Sequence, residues 1–220
     1  MRGVWIALAI VVVAIAAVVF VLRGRRPVED APRTAYERAA AQRFAALREV
    51  PTFHERLGGL PDPELRRAVH ELAVKGMPRL GDGALVERAA LLSTTLGNLD
   101  ESTCGAIVSG RYTPEEQERA IASLAPAAVT RWLDLEVEAA RAELLQTPEP
   151  PTDPRAVQDG LVALFRNVPK TDVPRLKEGL GHLAQAKPQE ACWVGRTIYA
   201  QVSVLGEPHD RVLARMLAHP

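Results

Sequence analysis

Residues Val4 to Leu22 (VWIALAIVVVAIAAVVFVL) are nineteen consecutive positions without a charge, and Arg23, Arg25 and Arg26 follow at once. Few structures are open to such a run. The hydrocarbon core of a bilayer is about 30 Å thick and takes roughly 20 apolar residues in a helix, which satisfies its own backbone groups inside lipid. A soluble core helix needs only one apolar stripe. The segment is therefore expected to be a transmembrane anchor over residues 1–26. Val4 and Trp5 would mark one interface, and Phe20, Leu22, Arg23, Arg25 and Arg26 the other. A cleaved export signal is the competing reading, because Ala14-Ile15-Ala16 resembles a processing site. The apolar run continues past that site to Leu22, longer than an ordinary signal core, so the uncleaved anchor is preferred.

Orientation has two opposed warrants. The Arg23/Arg25/Arg26 cluster outweighs Arg2, which by the positive-inside rule keeps the main domain in the cytoplasm. A short basic start before an apolar run is also the layout of an export signal. The cysteines discussed below tip the balance towards a periplasmic or extracellular domain. Only four of the 27 cations are lysine, and alanine is abundant, as in the products of GC-rich bacterial genomes. The expected location is thus a bacterial cytoplasmic membrane, crossed once.

Beyond the anchor the chain is long enough to bury a core. Lys+Arg and Asp+Glu both total 27, so no net charge draws it to nucleic acid, and no basic stripe is interleaved with aromatics. Residues 27–33 read as a juxtamembrane linker. From there the punctuation is helical throughout. Thr34 and Glu37 form a capping box before a helix to about Glu49, with Tyr36, Ala40, Phe44 and Leu47 on one face. Pro51, Pro61, Pro63 and Pro78 interrupt the next stretch and leave a helix from Glu64 to Lys75. Asp82 is expected to cap a helix stopping near Gly97-Asn98, and Asp100 to start another ending at Gly110. Thr113-Pro114-Glu115-Glu116 combines a capping hydroxyl, a proline at the first helical position and acids in the positive-dipole turn. A longer helix spans 127–146. Four prolines in 147–154 mark an internal boundary. Further helices are expected over 154–167, 173–186, 188–205 and 208–218. The fold class is all-α: a bundle or irregular helical array with subdomains over 34–146 and 155–220, the second packing on the first.

Two segments echo one another. Leu96-Gly97-Asn98-Leu99 precedes Cys104, Pro114 and a closing helix; Leu180-Gly181-His182-Leu183 precedes Cys192, Pro208 and another. A degenerate duplication predicts that 80–126 superimposes on 173–220. Chance in Ala/Leu-rich sequence explains the echoes equally well, since no fixed period emerges. Cys104 and Cys192 occupy matching places. In an exported domain they are candidates for a disulfide contributing on the order of 4 kcal/mol; in a cytoplasmic one they would be buried thiols. Two cysteines without a C-x-x-C spacing support neither a redox motif nor a standard zinc site.

Chemical motifs are sparse. His70-Glu71 opens like H-E-x-x-H, but Val74 stands where the second ligand belongs; His54-Glu55 fails at Gly58. His182, His209 and His219 lie near expected helix ends. Gly58-Gly59 and Gly81-Asp82-Gly83 are too short to cradle phosphate, and no G-x-S-x-G elbow occurs. Glu115/Glu116 and Glu136/Glu138 read as solvated helix faces and caps rather than acid pairs for hydrolysis. Trp132 and Trp193 read as core, and 191–205 as a central buried helix rather than a second span.

These observations imply no catalytic residue, cofactor or metal. They point to a membrane-anchored, non-catalytic interaction or structural module, touching lipid through residues 4–22 and a protein partner or second copy through its helices. The alternative is a tethered enzyme with a noncontiguous helical site, which needs several polar groups converging in one pocket; His70, Glu71 and another acid or histidine gathered in a cleft would favour it.

Overall fold

A computed structural model describes residues 35–219; the expected anchor, including Val4, Trp5, Phe20, Leu22, Arg23, Arg25 and Arg26, and the Thr34 cap lie outside them. Proline and acid at helix starts set most of the observed boundaries. Helix α1 spans Ala35–Phe44 and tightens into a 3-10 turn over Ala45–Glu49; α2 is Phe53–Leu57; α3 is Asp62–Gly76, with a 3-10 turn at Met77–Arg79. Then come α4 (Asp82–Asn98), α5 (Glu101–Val108), α6 (Pro114–Ala122) and α7 (Pro126–Leu144). The chain closes with α8 (Pro154–Asn167), α9 (Val173–Gly181), a 3-10 turn at Leu183–Gln185, α10 (Pro188–Leu205) and α11 (His209–Met216). No strand occurs among the described residues, as the periodicity predicts.

Helices α6, α7, α8 and α10 all begin on proline, where the missing N–H costs no intrahelical bond. Thr113 and Glu116 close the expected capping box: the Thr113 N–H donates to Glu116 Oε2 at 2.7 Å, and the Glu116 N–H to Thr113 Oγ1 at 3.2 Å. Asp100 accepts from the Ser102 and Thr103 N–H groups at 2.9 and 3.0 Å, and these bonds hold its carboxyl below the usual range.

The described residues form one compact unit. Helix α3 lies along α7, and their backbones touch: a Cβ on Gly76 would stand 1.9 Å from the Ala139 carbonyl oxygen. Helix α10 runs through the middle of the second half, against α4, α5, α8, α9 and α11, burying Ala191, Cys192, Val194, Gly195, Ile198 and Val202. Among the described residues no helix is long and apolar enough to cross a membrane. Segment 147–153 is an exposed connection without regular structure.

Several details depart from the sequence reading, each through a long-range partner. The proline-punctuated stretch after Pro51 still holds α2, because Phe53 and Leu57 are both buried. Asp82 makes no cap; Gly81 precedes the helix, and the Asp82 carboxylate instead receives Arg215, 6% exposed at the far end of the chain. Arg215 also donates to the Pro78 and Leu80 carbonyls at 3.1 and 3.0 Å, docking α11 onto the turn before α4. Arg196 caps the other end of α4 through the Leu96 and Leu99 carbonyls, at 2.9 and 2.5 Å. Segments 80–126 and 173–220 run helices of 17, 8 and 9 against 9, 18 and 8 residues, so helix lengths give a duplication no support.

Candidate functional site

The apolar face of α1 is only half used by the core. Ala40 and Phe44 are buried, while Tyr36, Ala40 and Phe44 also form the floor of an open cleft of about 500 Å³. Helix α3 supplies Arg66, Arg67 and His70 on one side, one turn apart. Helix α6, started by its capping box, turns Glu115, Gln117 and Glu118 inward from the other, and Glu136 of α7 closes the back.

Glu136 is 5% exposed, and its Oε1 lies 3.4 Å from His70 Nδ1. Where Glu136 is the acceptor, the contact takes a proton on Nδ1 and leaves Nε2 of a neutral ring to accept. Glu118 titrates above the usual carboxylate range: burial raises it, Arg66 draws it partly back, and Glu37, Glu115 and Glu136 raise it further. The Tyr36 phenol is driven far up, first by burial and then by Glu136 and Glu118, so it remains a hydrogen-bond donor. Glu115, Glu118 and Glu136 thus share one opening with Arg66 and Arg67, so both signs of charge line it.

Convergence here is partial by the sequence criterion. His70 meets Glu136 and shares the cleft with Glu118, whereas Glu71 is exposed and lines no part of it. No serine, threonine or cysteine borders the cleft among the described residues; Tyr36 supplies its one side-chain hydroxyl there. The described residues contain no group of three His, Cys, Asp or Glu placed to hold a metal ion. His54 is exposed with its ring edge-on to Phe53, and His182 and His219 are exposed near helix ends.

Glu136 corrects the solvated-face reading of the Glu136/Glu138 pair. It sits one turn from Trp132 and Ala140, both buried, whereas Glu138 meets Arg131 at 3.2 Å near the surface. That interval on the apolar stripe was the available signal. Glu116 is a cap, as expected, while Glu115 sits on the cleft. Trp132 is core; Trp193 is half-buried, with the Arg175 guanidinium 4.0 Å over its ring and Arg175 forked onto Glu190.

Cys104 and Cys192 form a disulfide between α5 and α10, with Cα atoms 5.1 Å apart and a sequence separation of 88. Leu96 shares their buried cluster. Gly105 lets α5 lie on the first turn of α10, where a Cβ would come within 2.1 Å of the Pro188 carbonyl oxygen.

Comparison of the chain with family models, curated proteins and solved structures finds no match.

Proposed function

We propose that this chain is a single-pass membrane protein of a bacterial cytoplasmic membrane, whose helical unit holds a recognition cleft for a cationic segment of a partner protein. The observation that carries the reading is the cleft: about 500 Å³, floored by Tyr36, Ala40 and Phe44, with the carboxylates of Glu115 and Glu118 along one wall. An apolar floor with charged walls suits a short segment that inserts one hydrophobic side chain and sets lysine or arginine against Glu115 and Glu118. Tethering near the bilayer raises the effective concentration of a partner on the same membrane. The uncharged run of residues 4–22 supports the anchor. The Cys104–Cys192 disulfide supports placement of the unit in an oxidising, exported compartment.

The test is titration of the detergent-solubilised full chain with a short lysine- and leucine-containing peptide, read by fluorescence anisotropy. Binding should weaken with salt and fall about tenfold in Glu118→Lys, as expected when a close charge pair becomes a clash. The variant carries the same micelle, so background binding cancels; equal affinity for both proteins would sink the proposal.

A second reading, acid–base catalysis, draws on the His70–Glu136 contact beside the raised carboxyl of Glu118. It requires turnover that vanishes in His70→Ala, rather than simple loss of peptide affinity.

A further inference from the structure

Three buried side-chain polar atoms among the described residues have no partner in the protein, and their residues all border one cavity: Arg88 Nε, Gln117 Oε1 and Trp132 Nε1. The cavity, of about 90 Å³, lies among α4, α5, α6, α7 and α10, and Gln117 borders both it and the cleft. Native proteins satisfy nearly all such groups, so three around one space form a recognisable pattern. Trp132 is 3% exposed, and an indole N–H can only donate. Arg88 has no ion pair with a described carboxylate, and its guanidinium carbon stands 5.7 Å from the centre of the Trp132 ring. Glu136 acts electrostatically on neighbouring Tyr112 but does not line this cavity.

The inventory specifies a guest. Two donors, one of them cationic, call for an anion with paired acceptors, and a carboxylate matches a guanidinium in shape and charge. The unpartnered Gln117 oxygen calls for a donor on the same molecule. Leu92, Leu96 and Ile121 supply an apolar wall that disfavours a heavily hydrated polyanion such as phosphate. The volume limits the guest to a few heavy atoms beyond the carboxylate. We propose that the cavity beside Trp132 binds a short-chain carboxylate bearing a hydroxyl group, its carboxylate on Arg88 and Trp132 and its hydroxyl donating to Gln117.

The full chain in detergent offers a direct readout, the indole N–H resonance of Trp132, assigned by its loss in Trp132→Phe. Lactate should shift that resonance saturably, while propionate, lacking the hydroxyl, binds several-fold more weakly. Lactamide, isosteric but uncharged, should lose about tenfold or more, as expected for removal of a charge-assisted bond. Arg88→Met should abolish the lactate response with the Trp193 resonance unchanged, which shows that the fold survives. Gln117→Met should remove the preference for lactate over propionate and keep propionate binding. The proposal fails if tens of millimolar lactate leave the Trp132 signal in place, or if lactamide or sodium chloride moves it equally. It fails as well if propionate binds at least as tightly as lactate, or if Arg88→Met titrates like the parent with its fold intact.

Discussion

Around the cleft, where α1, α3, α6 and α7 meet, charged side chains of both signs face an opening. Where α4, α5, α10 and α11 meet, two arginines are used inside the protein. Arg196 closes the end of α4, Arg215 closes the turn before it, and the Cys104–Cys192 bond ties α5 to α10. Both regions belong to one compact unit, yet in one the charged groups line an opening, while in the other Arg196 and Arg215 bind the protein's own backbone. The contrast separates polar groups that build the fold from those left for another molecule.

The largest expected effect tests the closed region. Replacing Cys104 and Cys192 by serine together should cost on the order of 4 kcal/mol, because an 88-residue separation is released in the unfolded chain. Urea unfolding of the detergent-solubilised chain, followed by circular dichroism, measures it. Peptide binding at the cleft should survive below the unfolding transition. A loss under about 1 kcal/mol, small beside the loop-entropy estimate, would break the contrast.

Next comes Arg215→Met, expected to cost about 3 kcal/mol, since it leaves the Pro78 and Leu80 carbonyls buried without their donor. Asp82→Asn should cost much less, because that side chain is 43% exposed and water replaces the arginine. The same unfolding measurement reads both. Equal costs would mean that the ion pair, rather than the carbonyl contacts, docks α11.

The smallest effect sharpens the comparison through pH. The Glu118 carboxyl is raised by burial and then by Glu37, Glu115 and Glu136, against the pull of Arg66. Its stabilising contribution is therefore complete below the ordinary value of 4.5 and is lost as pH rises through the folded value. Glu118→Gln should raise Tm at neutral pH, with the gain vanishing in acid. Asp100, lowered by its backbone bonds to Thr103 and Ser102, runs the other way. Its contribution is present above the ordinary value of 3.8 and lost as pH falls through the folded one. The Tm difference between Asp100→Asn and the parent should shrink in acid. Parallel pH profiles for the two variants would show that cap and cleft carboxylates do not differ.

Helix positions were readable because their determinants are local. Pro114, Pro154 and Pro188 each mark a helix start, and the Thr113–Glu116 box spans four residues. The α10 stripe likewise follows from spacing alone. What eluded the sequence depends on distant partners. Glu136 lies 66 residues from His70, and Arg215 lies 133 from Asp82, so neither burial has a local signature beyond an interval on an apolar stripe. The cleft draws on four helices, and no motif encodes that meeting. The cavity beside Trp132 was hidden by a correct assignment: the ring is core, but a core reading says nothing about where its N–H points.

The bare stretch 147–153 and the sulfur bond have a joint consequence. Cys104 precedes that stretch and Cys192 follows it. A protease nick between Thr147 and Asp153 would cut the backbone without releasing the C-terminal fragment, which stays covalently attached through Cys192. If residues 4–22 are seated in lipid, that fragment would stay at the membrane until a reductant frees it.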